Sequence, residues 1–443
     1  MFKKGRTALV AGLASGALLV TGCSAGSLGT SSGGASGGAQ AVTITFEVDN
    51  AESTVKSANA LAEAFMKANP DITLNIEQRP GGTDGDNLVK TKLSTGDMAD
   101  VFEYNSGSLL QALDPAKNLV PLTNESYMGD LDESFKTAVT SDGQIYGVPF
   151  GQAMGGGILY NKKVFADLGL SVPKTWAEFM ANNAKIKAAG IDPVIQTYGD
   201  TWTSQLFVLA DFHNVLAVDP QWATKYTAND PSAKYAVDPA LKGFQRLEDV
   251  YKAGYLNKDF ASIKNTKGLQ YLVKGTGAQY PMLTMMVPTY SAMSDDAASN
   301  IGFFAQPGDD AATAGVTLWT PGSVYIPTTT TDAKLDAAKK FVAWMATPAA
   351  CDAQTSAVEP TGPYMVKGCS LPDGLATAVT DLKKYVDDGA TSPALEFLSP
   401  VKGPNLEKIT VEVGSGITSA ADGAKRYDED VKKQAQQLGL EGW

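Results

Sequence analysis

Val42-Thr43-Ile44-Thr45-Phe46, a helical stretch from about Ser53 to Ala68, Ile72 to Gln78, and Asp100-Val101-Phe102-Glu103-Tyr104 follow one another in the first part of the globular chain. Their order decides the fold class. Val42–Phe46 is β-branched and aromatic, as strands prefer. Asp49-Asn50 makes a polar turn. Val55, Ala58, Ala62, Phe65 and Met66 then recur at helical spacing on one face, and Asn69-Pro70 stops that helix. A Gly81-Gly82 turn leads from the second strand to a helix near residues 87–94. Strand, helix, strand, helix, strand predicts a parallel sheet flanked by helices, the α/β class. Such sheets bind ligands at the carboxyl ends of their strands. Here those ends are Asp49-Asn50, Gln78 and Tyr104-Asn105.

The middle of the chain predicts a second α/β unit. It has strands at Gly157–Asn161, Pro193–Tyr198 and Ala278–Met285. Its helices run over about 176–189, 202–215 and 240–253. A helix over Ala333–Ala346 carries Leu335, Ala338, Phe341, Val342 and Met345 on one face and ends at Thr347-Pro348. The tail from Ala420 to Leu438 reads as a long polar helix.

The N-terminus has a different character. Lys3, Lys4 and Arg6 precede an uncharged stretch, Thr7 to Val20, and then Val20-Thr21-Gly22-Cys23. A basic region, a short apolar region and small residues before a cleavage point read as a secretory signal. That stretch is shorter than the roughly 20 residues a membrane span needs. Val-Thr-Gly-Cys resembles a bacterial lipobox, so Cys23 is the expected lipidation site and residues 1–22 the signal peptide. Residues 23–41 then supply the lipidated Cys and a Gly/Ser-rich tether, with a span of roughly 20–25 Å. The expected location is the cell membrane, lipid-anchored on the extracytoplasmic face.

Composition narrows the function. The formal charge is −12, and removing Lys3, Lys4 and Arg6 makes it −15. Nothing in that balance favours nucleic acid or an anionic membrane surface. Four arginines (Arg6, Arg79, Arg246 and Arg426) leave little for an anion receptor. His213 is the single histidine, which argues against a His-based metal site and a His general base. No metal and no cofactor are expected. Cys351 and Cys369 remain after Cys23. In an exported protein a disulfide is the expected state, with two free buried thiols as the alternative.

A family resemblance enters in the middle of the chain. Asp142-Gly143-Gln144-Ile145-Tyr146-Gly147-Val148-Pro149 is followed by Gly157-Ile158-Leu159-Tyr160-Asn161-Lys162. Then come Gly169-Leu170 and Pro173-Lys174-Thr175-Trp176-Ala177-Glu178-Phe179. This run resembles family 1 of the extracellular solute-binding proteins, the maltose-binding-protein-like receptors of ABC importers. Asn69-Pro70-Asp71-Ile72, Ala99-Asp100-Val101-Phe102 and the helix around Lys340-Phe341 resemble other motifs of that family. The resemblance spans roughly residues 42–350 and is loose beyond.

The resemblance implies an α/β, two-lobed periplasmic-binding-protein-like fold with a hinge and an interlobe ligand cleft. Lobe 1 is expected from residues 42–148 plus 301–350, and lobe 2 from 149–300 plus 351–443. Crossings are expected near Gly147–Phe150, Asn300–Phe304 and Thr347–Pro360. The implied function is capture of a sugar, an oligosaccharide above all, for ABC importer permease subunits. The protein is then a monomeric receptor and not an enzyme. A polyamine held by Glu47, Asp49 and Glu103 is the alternative ligand. A glycosidase would need a carboxylate pair that no spacing nominates.

Sugar sites combine aromatic platforms with polar groups. The candidates are Trp202 and Trp319 as platforms, with Asp49, Asn50, Tyr104, Asn105, Phe150, Gln152, Tyr280 and Tyr364 at strand ends and crossings. For each aromatic the alternative is core packing. For Asp49 and Asn50 it is capping of the first helix. Trp176, Trp344 and His213 are expected to be structural.

Overall fold

The structure, a computed structural model, describes residues 41–443. The signal peptide, Cys23 and the tether through Gln40 lie outside the described residues.

Two sheets organise the chain. The first begins with β1 (Val42–Asp49), β2 (Ile72–Arg79) and β3 (Val101–Tyr104). A small hairpin, β4 (Thr140–Ser141) with β5 (Gln144–Ile145), precedes β6 (Gly147–Phe150). The second sheet holds β7 (Met154–Asn161), β8 (Asp192–Val194), β9 (Gly277–Leu283), β10 (Ile301–Ala305) and β11 (Val316–Trp319). β12 (Gly322–Tyr325) returns to the first sheet, and β13 (Thr391–Pro393) closes the edge of the second.

The first sheet has the order β2-β1-β3-β12-β6. β1 and β2 pair in parallel from Val42↔Ile72 to Asp49↔Arg79, so both strands end at the same edge. α1 (Glu52–Ala68) and α2 (Gly82–Thr95) leave from that edge. α1 buries Ala58, Leu61, Ala62 and Phe65, while Val55 and Met66 of the predicted face are partly buried beside them. Phe341, from the Asp332–Met345 helix, meets Phe65 and Phe46 at ring-centroid distances of 5.1 and 5.3 Å.

The second sheet is built on β7, which takes β9 along one side and β10 with β11 along the other. Its Gly155-Gly156-Gly157 run is dictated by crowding. A Cβ on Gly156 would lie 2.2 Å from Trp319 Cζ3, and one on Gly157 would lie 2.4 Å from the Phe304 carbonyl oxygen. Strands disfavour glycine, which is why the sequence pattern opened this strand only at Gly157. The adjoining core stacks Trp222 on Tyr226, with centroids 4.9 Å apart.

Three expectations are corrected. Residues 301–319 do not belong to lobe 1, because β10 and β11 both pair with β7. The chain returns at Thr320-Pro321, not near Asn300–Phe304. The first passage lies at residues 151–153, between β6 and β7, since Gly147–Phe150 is itself a strand of the first sheet. Residues 351–369 do not belong to lobe 2. Cys351, Met365 and Val366 are buried in the first core, where Leu131 pairs with Val366. The chain rejoins the second lobe after Cys369, and Ala376, Val379 and Leu382 pack there. The sulfurs of Cys351 and Cys369 lie 2.03 Å apart, in register to bond.

Candidate ligand cleft

Two openings separate the helices that follow β1 and β2 from the second lobe. One, of about 340 Å³, lies between Asp86, Asn87 and Lys90 of α2 and Gln205, Lys402 and Glu407 of the second lobe. The other, of about 400 Å³, lies between Glu52, Ser53 and Lys56 at the start of α1 and Pro288 and Thr289 opposite. Since α1 follows β1 and α2 follows β2, both openings border the strand ends. The side chains named at the first opening comprise two acids, two lysines and two amides. The charges cancel, and the wall offers carboxylate acceptors, lysine donors and amides that do both.

Beneath this edge lies a buried charge cluster. Arg79 Nη2 donates to Glu103 Oε2 at 2.9 Å and to the Glu103 carbonyl at 2.7 Å. Glu47 is paired by Lys92, with Arg79 Nε 3.9 Å from its other oxygen. Asp49 Oδ1 accepts from the Ala51 backbone at 2.8 Å, turning the chain into α1. Glu47 and Glu103 are therefore committed to protein cations. They are not free carboxylates waiting for a cationic ligand, which leaves only Asp49 of the three acids the polyamine expectation named.

The lobes touch behind the cleft. Ser106 Oγ lies 2.9 Å from Thr320 Oγ1 and donates to the Pro321 carbonyl at 3.1 Å, so it sits against the second passage. Gly107 follows with φ 69° and ψ −139°, a conformation reserved for glycine. A Cβ there would lie 2.4 Å from the Glu396 carbonyl oxygen. Gly107→Ala is therefore expected to cost about 1–3 kcal/mol and to weaken ligand binding by wedging the lobes apart. An unchanged melting temperature and affinity would contradict this.

The predicted site residues divide into two groups. Asn50 and Asn105 are exposed and Asp49 half-buried at the strand ends, and Trp202 is half-buried on the second lobe in the Thr201–Gln205 turn. Gln152 belongs to the first passage, and Tyr364 packs against the first core. Gln152 Oε1 accepts from Thr361 Oγ1 at 3.3 Å, while Tyr364 OH donates to the Cys351 carbonyl at 3.0 Å.

The others are corrected by burial. Tyr104 and Tyr280 are fully buried, and Tyr280 OH meets Thr197 Oγ1 at 2.6 Å. Phe150 packs edge-on against Phe46, and Trp319 covers Gly156. These four fill cores. Trp176 stacks on Phe179, and His213 bonds Ser392 and the Thr313 carbonyl, both structural as expected. Sequence reasoning missed Asp86, Asn87, Lys90, Gln205, Lys402 and Glu407. The Gly-rich start of α2 was a usable signal for the first three, because a helix leaving a strand's carboxyl end borders the ligand edge.

Residues 51–350 match the family described as bacterial extracellular solute-binding protein. The chain is 27% identical over 362 residues to the Multiple sugar-binding protein of Streptococcus mutans, covering 77% of this chain and 81% of that one. A solved structure described as a chitin oligosaccharide binding protein superposes with a TM-score of 0.73 at 18% identity, covering 89% of this chain and all of the other. One described as SBP RafE in complex with raffinose gives 0.71 at 20% identity, covering 89% and 99%.

Proposed function

The chain belongs to the bacterial extracellular solute-binding proteins, and from that premise we propose that it is the substrate-binding lipoprotein of an ABC importer, capturing an oligosaccharide between its lobes. The observation that carries this reading is the neutral, amide-bearing opening between α2 and residues 402–407. Sugar hydroxyls both donate and accept, and this wall meets them with amides that do both, flanked by carboxylate acceptors and lysine donors whose charges cancel. Trp202 at the edge of the second lobe supplies the flat apolar face a pyranose ring needs. The names of the sugar-binding relative and of the chitin oligosaccharide and raffinose structures point the same way.

In this reading the ligand favours the closed arrangement by contacting both lobes, and the closed form docks on membrane permease subunits. The protein works as a monomer, held to the outer face of the cell membrane by lipid on Cys23. It is a receptor and performs no chemistry on its ligand. Native mass spectrometry of the freshly purified mature chain tests it. Adducts differing by whole hexose or N-acetylhexosamine units support the proposal. Adducts with polyamine masses only would sink it.

Export also implies that Cys351 and Cys369 are bonded. Iodoacetamide is then expected to label neither residue in the unfolded chain before reduction and both after. Closing an 18-residue separation contributes about 3 kcal/mol in the chain-entropy account. The double serine variant is expected to lose that much by urea unfolding, and a loss below about 1 kcal/mol would contradict it.

A further inference from the structure

Arg79 is the last residue of β2 and is 5% exposed. Its guanidinium reaches all three strand ends: its own, Glu103 of β3 through two bonds, and Glu47 of β1 at 3.9 Å. It also donates to the Pro80 carbonyl at 3.5 Å and lies 5.9 Å over the Tyr104 ring. Directly after Arg79 comes the rim of the cleft, Pro80-Gly81-Gly82 and the first turns of α2. That rim carries Asp86, Asn87 and Lys90 into the opening.

The rim has little apolar anchorage. Of the described residues from Pro80 to Lys90, only Gly85 and Val89 are buried. Its helix starts at Gly81 without a side-chain cap. Gly85 is pressed so close to Pro80 that a Cβ would lie 2.0 Å from the carbonyl oxygen. Polar ties remain: Arg79 to Glu103, and Lys92 to Glu47 one turn beyond the rim.

We propose that Arg79, gripped by Glu103, is a positioning residue that sets the Pro80–Lys90 rim at the height the ligand needs. The proposal rests on the reading of this cleft as the ligand site. The planar guanidinium, with Nη2 on Glu103 and Nη1 on the Pro80 carbonyl, fixes direction as well as distance, which a lysine ammonium does not.

The grip has a pH signature. Glu103 is faced by Arg79 from β2, by Asp49 from β1 and by Tyr325 from β12; Glu47 of β1 shares Arg79 with it and also holds Lys92 of α2. Burial pushes its carboxyl up to about 7, Arg79 opposes the rise, and Asp49 adds to it. Below that pH Glu103 takes up a proton and loses its charge-assisted hold on Arg79, so ligand affinity falls with acidification. Stability runs the other way. A buried acid whose folded value lies above its free value of 4.5 contributes stability that is complete at acid pH and lost as pH rises through about 7. If Arg79 served folding alone, affinity would follow stability.

The test uses the mature chain, with raffinose and a chitin oligosaccharide as probes, titrated between pH 5.5 and 8.5. Wild-type affinity is expected to fall roughly three- to tenfold between pH 8 and pH 6 while the melting temperature does not fall. Glu103→Gln should bind more weakly and with a flat profile. Arg79→Met should bind at least about tenfold more weakly, with Arg79→Lys restoring part of the loss. A profile in Glu103→Gln parallel to wild type, or full affinity in Arg79→Met, overturns the proposal. Amide exchange supplies a ligand-free readout. The amides of residues 81–90 should exchange faster in Arg79→Met while those of Ala278, Gln279, Tyr280, Met282 and Leu283 in β9 do not. Unchanged exchange at the rim overturns the positioning role. Faster exchange in a chain that binds neither probe upholds that role and removes the reading of the cleft.

Discussion

Arg246→Met is expected to lower stability by about 3–5 kcal/mol, the cost of stranding a buried charge. Arg246 is 3% exposed on the Leu241–Lys252 helix. It bonds Asp211, which is itself 1% exposed, and reaches Asp309 Oδ1 at 3.3 Å. It thereby ties the helix to the start of the Phe212–Val218 helix and to the loop between β10 and β11. Trp176 lies against its other face, with the guanidinium 5.6 Å from the ring. Methionine fills most of the volume but leaves Asp211 ionised with one remaining side-chain donor, Asn214 at 2.7 Å. The double variant Arg246→Met/Asp211→Asn should recover much of the loss, because the stranded charge is gone. Urea denaturation of the four chains measures the cycle. A single-variant loss below about 1 kcal/mol would show that the pair is solvated and structurally idle.

Trp202→Ala is expected to weaken oligosaccharide binding by about 2 kcal/mol, roughly thirtyfold, in line with aromatic anchors at binding sites. Trp202 is half-buried at the margin of a second-lobe core, so one part of the ring packs and another faces out. Its turn is pinned from both ends. Thr203 Oγ1 donates to the Thr197 carbonyl at 3.0 Å, and Ser204 Oγ donates to the Glu407 carbonyl at 3.0 Å. The second bond joins the Trp202 turn to the segment that lines the opening opposite α2. Trp202→Phe should keep most of the affinity, since it keeps a stacking face. If both variants bind as tightly as wild type, the ring packs without touching ligand and the platform lies elsewhere.

The sequence already showed β1, β2 and β3 of the first sheet, because β-branched and apolar runs bounded by polar turns mark such strands locally; β6 and β12, which complete the sheet, it did not show. It did not show that α2 begins at Gly82. Gly81, Gly82 and Gly85 read as a turn on propensity, yet Gly85 is there because the Pro80 carbonyl leaves no room for a side chain. β7 was hidden for the same reason at Gly155–Gly157. The helix expected over 202–215 breaks into a short turn and two short helices because Thr203 and Ser204 bond backbone carbonyls.

Site residues were harder. A tyrosine at a strand end looks the same whether it faces a cleft or a core. Tyr280 is covered by Thr197, 83 positions away, and Tyr104 is buried in the first core, and neither relation leaves a local mark. Lys402 and Glu407 lie in the C-terminal part, where the family's motifs run thin, and only the packing of that segment across the cleft reveals them. The arginine count did carry meaning. With so few arginines, Arg79 and Arg246 each sit in a buried ion pair, and neither lies open for an anionic ligand.

Isothermal titration of the mature chain against neutral oligosaccharides, monosaccharides and polyamines tests the central claim most directly. The expected result is one-to-one binding of at least one oligosaccharide, weakened by Trp202→Ala, with no heat from spermidine or putrescine. Saturable binding of a polyamine with none of any sugar would contradict the account.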